Sequence, residues 1–252
     1  MHPFTFLACT YNLWGSFDWD NRSASLERFL EVNPPDVLCI QESTKVACDL
    51  IGGALGSHAT ISDPFPGWVE EGTIYWNSKL FDLVEYGVRD IGILEELRRL
   101  FWARLRAPGE RTIVIATAHF SWTGEREHPP EQGNVRIRQA EAAVDALNGI
   151  ADEDEPVLFM GDFNDYIHPI RVLKDAGFVD SFSALGREVV VTYPARPLQS
   201  APPQLLDWMM HRGPIRPTLT SVVDFYVDEV PPSDHKPILT SYVLLEESAS
   251  QG

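Results

Sequence analysis

An apolar run, Val157-Leu158-Phe159-Met160, leads directly into Gly161-Asp162-Phe163-Asn164-Asp165. The run describes a buried strand, and charge placed at the end of such a strand is costly without a metal or a reaction to justify it. Along an extended chain side chains alternate between faces, so Asp162 and Asn164 point one way while Phe163 points into packing. A carboxylate and an amide therefore converge at one strand end.

The arrangement recurs along the chain. Thr10-Tyr11-Asn12 follows the run from Phe4 to Cys9, Gln41-Glu42 follows Val37 to Ile40, and His119 follows Ile113 to Ala118. Asp207 lies inside Leu205 to Met210, and Ser233-Asp234-His235 stands just before Ile238-Leu239. Adjacent residues face opposite ways in a regular strand, so the loop opened by Pro231-Pro232 is needed to bring Asp234 and His235 into one site.

In this order the set resembles the endonuclease/exonuclease/phosphatase superfamily, the DNase-I-like fold, from about Thr5 to Leu245. The resemblance implies a phosphoesterase dependent on Mg²⁺, with Mn²⁺ as a substitute. It also implies an α/β fold: a four-layered sandwich of two packed, mostly antiparallel sheets flanked by helices. By family position Glu42 is the principal metal ligand, with Asn12 and Asp234 assisting. Asp162 positions and activates the attacking water, His235 binds and polarises the phosphate or serves as base, and Asp207 orients His235. Asn164 donates a hydrogen bond to the pentavalent phosphorus centre. His119 contacts a nonbridging oxygen or protonates the leaving group. Asn134 is a candidate for an additional amide near the phosphate. Arg138, with Gln139, resembles an Arg-x-Gln-like feature of several branches and equally suits a solvated helical face.

Charge narrows the substrate. The 252 residues carry 20 Lys and Arg against 37 Asp and Glu, a net charge of −17. That balance is unfavourable for a protein whose affinity must come from neutralising phosphates, so nonspecific binding to duplex DNA is disfavoured. Expected partners are a phosphorylated small molecule or a short or terminal nucleic acid. Arg98, Arg99, Arg104, Arg106 and Arg111 fall on one predicted hairpin, where they form either a local basic rim near the site or a solvated strand face. The tryptophans Trp14, Trp19, Trp68 and Trp122 fall in predicted loops, where exposed rings can stack on a base. His2, His58, His128, His168 and His211 fit no metal spacing and read as surface or loop residues.

The length suits one domain, 1–252, with a core of about 4–245 and a short flexible C-terminal tail. Cys9, Cys39 and Cys48 form no paired spacing and read as reduced thiols. Without a basic leader or a run of about eighteen apolar residues, a soluble cytoplasmic protein with no membrane insertion is expected.

Helical spacing of Leu26, Phe29 and Leu30 predicts a helix after the cap candidates Asn21 and Ser23, stopping before Pro34-Pro35. Thr73 to Trp76 and Phe81 to Tyr86 read as a strand pair, and Leu100 to Arg106 with Arg111 to Phe120 as a hairpin. Val135 to Leu147 and Pro169 to Ala176 read as helices, and Thr218 to Phe225 and Ile238 to Leu245 as closing strands. The polar stretch from Ser121 to Asn134 is long enough for a functional loop. Two other classes compete with the phosphoesterase: a catalytically silent binding module on the same fold, and a Ser-His-Asp hydrolase. The first is expected to have lost metal or base residues that are intact here. The second lacks a Gly-x-Ser-x-Gly turn.

Overall fold

The computed structural model describes residues 3–122, 134–198 and 200–245. In chain order the elements are β1 (Phe4–Asn12), α1 (Trp19–Val32), β2 (Val37–Gln41), α2 (Lys45–Ala54), β3 (His58–Thr60), α3 (Gly67–Glu70), β4 (Thr73–Asn77), β5 (Asp82–Arg89), β6 (Leu100–Arg106), β7 (Thr112–His119), α4 (Val135–Ile150), β8 (Val157–Asp162), α5 (His168–Asp175), β9 (Val179–Asp180), β10 (Asp207–Arg212), β11 (Ile215–Val222) and β12 (Ile238–Leu244). They form two six-stranded sheets, ordered β11-β12-β1-β2-β4-β3 and β5-β6-β7-β8-β10-β9.

Alternation within the central strands explains the layers. Phe6 and Ala8 of β1, and Leu158 and Met160 of β8, belong to a core shared between the sheets. The intervening residues of β1, Cys9 and Tyr11, pack with Leu26, Phe29 and Leu30 of α1 and Ile51 of α2. Those of β8, Val157 and Phe159, pack with Ala140, Ala143 and Leu147 of α4 and Leu173 of α5. Helices, sheet, sheet and helices follow in that order, which is the four-layered sandwich expected.

Each sheet holds one parallel pair at its centre, β1 with β2 and β7 with β8, and the remaining pairings are antiparallel. A parallel pair needs a crossover, and α1 and α4 lie in those connections. The carboxyl ends of both pairs consequently open at the same end of the sandwich, where Asn12, His119 and Asp162 meet.

Three local expectations are corrected. The runs 73–76 and 81–86 do not pair: β4 joins β2 and β3, whereas β5 crosses to the other sheet and joins β6. Proximity along the chain favours a hairpin, but both flanks of β4 are already taken. Helix α1 begins at Trp19, ahead of Asn21 and Ser23, because Asp18 adopts a left-handed conformation (φ 47°) and its carbonyl accepts the first backbone N–H groups. Helices α2 and α3 were not anticipated from the sequence, and Trp68 sits buried in α3 against Phe101 rather than in an exposed loop.

The histidines outside the site also divide. His211 is buried in β10 with its ring against Tyr242, and His58 is half-buried, bonded to the carbonyls of Leu55 and Pro35. His168 is exposed, while His2 and His128 lie outside the described residues. Cys9, Cys39 and Cys48 are free thiols. The tail and most of the Ser121–Asn134 stretch also fall outside the described residues. No helix among the described residues is long and apolar enough to cross a membrane.

Candidate active site

Register brings the polar strand ends together. Asn12 stands opposite Gln41, His119 opposite Asp162, and Asp207 opposite Asp162 on its other side. Two hydrogen bonds then join the sheets: Gln41 Nε2 donates to Thr117 Oγ1 at 2.9 Å, and Asn12 Nδ2 to Asp162 Oδ2 at 3.0 Å. Gly161 permits the close approach of β7 and β8, since a Cβ there would lie 2.1 Å from the carbonyl oxygen of Ala118.

Beyond the strand ends the backbone turns sharply, with Glu42 at φ 48° and Asn164 at φ 51°. Left-handed conformation is uncommon outside glycine and better tolerated by Asn than by Glu. The strand stops at Asp162, so alternation does not set the direction of Asn164. Its amide instead donates to the carbonyl of Phe120 at 2.9 Å, while its own N–H donates to Asp162 Oδ1 at 2.9 Å.

A line of contacts crosses the site. His235 Nδ1 and Asp207 Oδ2 are 2.8 Å apart, and His235 Nε2 lies 3.8 Å from Asp162 Oδ2. His119 Nε2 approaches that same oxygen to 3.4 Å. Asn12 Nδ2 also reaches Glu42 Oε1 at 3.3 Å. Ser233 Oγ donates to the Asn12 carbonyl at 2.6 Å and accepts from the His235 N–H at 3.2 Å, which ties the Asp234-His235 loop to β1.

Burial and charge act in opposite directions on the two imidazoles. For His235, burial disfavours the cation, but Asp207 and Asp162 outweigh it and hold the group up at about 10. For His119, burial prevails over Asp162, with Arg98 adding to it, and the group falls to about 4. One ring is therefore an imidazolium at neutral pH and the other a neutral imidazole. Burial, with Glu42 adding to it, raises Asp234 to about 6. Glu71 is raised by burial, against the opposing pull of Arg98.

The site opens into a cavity of about 540 Å³. Glu42, His119, Asp162, Asn164, Asp234 and His235 line it, whereas Asn12 and Asp207 stand behind them as supports. Asn134 and Arg138 are not among the lining residues. Asn134 caps α4 by accepting from the Arg136 N–H, and its amide donates to Asp165 at 2.7 Å. The cation that α4 contributes to the cavity is Arg136, held by the Ser121 carbonyl at 3.3 Å and lying 3.6 Å from Asp165. Gln139 is buried rather than solvated, bonded to Ser121 and to the Gly92 carbonyl.

The basic rim does not form. Arg104 is paired with Glu85 and Glu155, Arg106 with Glu110, and Arg111 with the carbonyls of Leu244 and Leu245. Arg99 bonds the carbonyls of Glu96 and Arg98. Arg98 alone of the five reaches the site, bonded to Glu71 at 3.0 Å and 3.8 Å from Glu42. Arg104 and Arg106 share one face of β6, whereas Arg98, Arg99 and Arg111 lie outside the strands, each with its own partners, and closeness in sequence had concealed this. Trp14, Trp122, Tyr193 and Gln204 line the cavity as well. Their loops carry no periodic signal, although Trp14 and Trp122 stood out as loop aromatics.

The donor set suits a hard divalent cation. Carboxylates of Glu42, Asp162 and Asp234 line one cavity, and the Asn12 amide nitrogen stands between two carboxylates, where a positive partner is called for. Ligand atoms of Asp162, Asp207 and His235 also lie within 4.8 Å of one another. In that group the Asp207–His235 contact already occupies one donor from each residue.

The profile of the Endonuclease/Exonuclease/phosphatase family matches residues 9–235. The chain belongs to this family, and with it to the phosphoric ester hydrolases. Among solved structures it is similar to an endonuclease/exonuclease/phosphatase family protein from Bacteroides thetaiotaomicron, at 17% identity and a TM-score of 0.79, covering 98% of this chain and 100% of that one. D. rerio TDP2 complexed with single strand DNA product is 18% identical, with a TM-score of 0.78 over 94% of this chain and 98% of that one. A mannosyl-6-phosphatase from Bacteroides thetaiotaomicron is 16% identical, with a TM-score of 0.76 over 94% and 99%. No curated protein matches the chain in sequence. At these identities the likeness establishes the DNase-I-like fold.

Proposed function

We propose that this protein is a Mg²⁺-dependent phosphoesterase that hydrolyses a phosphodiester or phosphomonoester by in-line attack of water. The observation that carries the reading is the unbroken line Asp207–His235–Asp162–Asn12–Glu42 across the two sheets. Glu42, assisted by Asn12 and Asp234, would hold the metal, which would neutralise charge developing on the phosphoryl oxygens. Asp162 accepts a hydrogen bond from the attacking water and takes its proton as the new P–O bond forms; the P–O bond to the ester group breaks in the same displacement, and the departing oxygen takes up a proton from solvent. His235, fixed in orientation by Asp207, donates from Nε2 to a phosphoryl oxygen. His119 donates to a second oxygen, and Asn164 lines the phosphate end of the cavity. Asn134 acts on Asp165 and the helix start rather than on substrate, and Arg136 takes the place considered for Arg138 as the cation facing the phosphate.

The substrate is a phosphorylated small molecule or a short or terminal stretch of nucleic acid. The acidic body and the dispersal of the arginines into ion pairs favour both over a long duplex. Among the structurally similar proteins one is a mannosyl-6-phosphatase and another binds single-stranded DNA product, which spans the same two classes. A silent binding module is the weaker reading, because every residue of the line is present.

The test is a screen of mono- and diesters with and without Mg²⁺ or Mn²⁺, repeated with Glu42→Ala. Metal-dependent hydrolysis with a right-shifted metal titration in Glu42→Ala is expected. Hydrolysis unaffected by chelation, or equal metal affinity in the two proteins, would overturn the assignment of Glu42.

A further inference from the structure

We infer that the mouth of the cavity is a binding site for a flat aromatic ring carried by the esterified group, so that ring-bearing phosphoesters are preferred over ring-free ones. The inference rests on the phosphoesterase reading and narrows its substrate class. Trp14, Trp122 and Tyr193 all line the cavity that holds the polar site. Phe17 packs against Trp14 in a tilted contact, with ring centroids 4.3 Å apart and an interplanar angle of 32°. Phe17 is 61% exposed and Trp122 65% exposed, so large ring faces are presented to solvent beside a charged floor.

A lone exposed aromatic on a loop says little. Here the loop is built rigidly from beneath. Arg22, 1% exposed, donates to the carbonyls of Phe17 at 2.6 Å, Gly15, and Trp14 at 3.4 Å, and its guanidinium lies 5.9 Å from the Trp14 ring centroid. The same guanidinium donates to the Pro232 carbonyl at 2.8 Å, two residues before Asp234. One buried cation thus fixes the Trp14–Phe17 pair relative to the loop carrying Asp234 and His235. Trp122 is restrained differently, its backbone N–H donating to Glu95 Oε1 at 3.3 Å. The Tyr193 ring lies 5.0 Å from that of His235. Trp14, Trp122 and Tyr193 therefore line the cavity on backbone that is tied down by hydrogen bonds, which limits the ordering cost of binding.

Stacking a base or aryl ring on such a surface strengthens binding by about 5- to 150-fold per ring. Two matched pairs isolate the ring from the phosphate: phenyl phosphate against cyclohexyl phosphate, and a nucleoside 5′-monophosphate against ribose 5-phosphate. Inhibition constants against a common chromogenic ester, and calorimetric affinities in the presence of the divalent metal, give the ratio within each pair. A ratio of roughly 10 or more in the wild type is expected, falling toward one in Trp122→Leu and in Trp14→Leu. The phenyl pair reports any aryl group, and the nucleoside pair reports a base held at sugar distance. Ratios near one in both pairs, with hydrolysis intact, would overturn the ring site and leave the phosphoesterase standing. Ratios retained in Trp122→Leu and Trp14→Leu would overturn it equally. Ring preference without hydrolysis of any ester would support the site and overturn the proposed reaction instead.

Discussion

Replacing Arg22 by Met should damage stability and turnover together. The side chain makes hydrogen bonds to four carbonyls from two loops, with three of them at 2.6 Å, 2.8 Å and 3.4 Å. A hydrogen bond involving a charged group contributes about 1.5–3 kcal/mol, so three good ones represent roughly 5–9 kcal/mol of gross interaction. Against this stands the cost of burying the guanidinium, several kcal/mol, which the Met variant is spared. A net loss of about 3 kcal/mol remains, or roughly 6–12 °C in Tm for a chain of this size. Thermal and urea unfolding of wild type, Arg22→Met and Arg22→Lys would measure it, and Arg22→Lys should recover only part, since an ammonium cannot serve both loops. Activity assayed well below either Tm should fall about 10²-fold in kcat, because a displacement near 1 Å at the Asp234-His235 loop is enough for such a loss. A Tm within 2 °C of wild type, or full turnover in Arg22→Met at low temperature, would refute the idea that this cation sets the loop geometry.

The pairing of His235 with Asp207 predicts that Asp207→Asn and His235→Ala each lower kcat by roughly 10²–10⁴-fold. The double variant should lie near the His235→Ala level, and additive losses in steady-state kinetics would dissolve the pair. His211, buried away from the cavity, is held down at about 4 by burial, against a small opposing contribution from Asp180. A base with a depressed folded pKa takes up protons first in the unfolded chain. Stability should therefore be lost as pH falls from 6.5 to about 4, by about 3 kcal/mol if this residue acts alone. In pH-dependent denaturant melts His211→Phe should show a shallower slope in that window, and an unchanged slope would remove His211 as the cause. Hydrolysis of a short oligonucleotide should depend only weakly on salt, whereas preferred internal cutting of long duplex with steep salt sensitivity would reveal a basic groove that Arg104, Arg106 and Arg111 do not supply.

Much of the site was readable because buried strands leave few ways to end in charge. Asp162, His119 and Asn12 each closed an apolar run, and in the fold each closes a central strand. Glu42 follows the same pattern one residue past β2, and Asp207 was legible as a carboxylate among apolar neighbours. Arg136, which lines the cavity, was not singled out, because attention to the Arg-x-Gln-like pair Arg138-Gln139 gives no measure of which residue of the first helical turn faces the site. The arginines of the β6–β7 hairpin were misjudged for another reason. Sequence shows that they are near each other, but the partners of Arg104, Glu85 and Glu155, come from elsewhere in the chain, while Glu110 pairs with Arg106 from the hairpin's own turn. The exchange of sheets between β4 and β5 was equally hidden, since a link as short as Ser78 to Phe81 serves a hairpin and a crossing alike.

The joint between the sheets has a mechanical corollary. Asn12 and Glu42 belong to one sheet, Asp162 and His119 to the other, and hydrogen bonds of 3.0 Å and 2.9 Å, with a 3.8 Å contact between His119 and Glu42, couple the polar ends of the two. Interior packing between Phe6, Trp76, Phe101 and Met160 sets how far apart the two halves stand. Catalysis then acts as a gauge of that spacing. A single added methylene deep in the shared interior, tolerable for folding, would wedge the halves apart at the mouth and show first as lost turnover, long before the protein melts early.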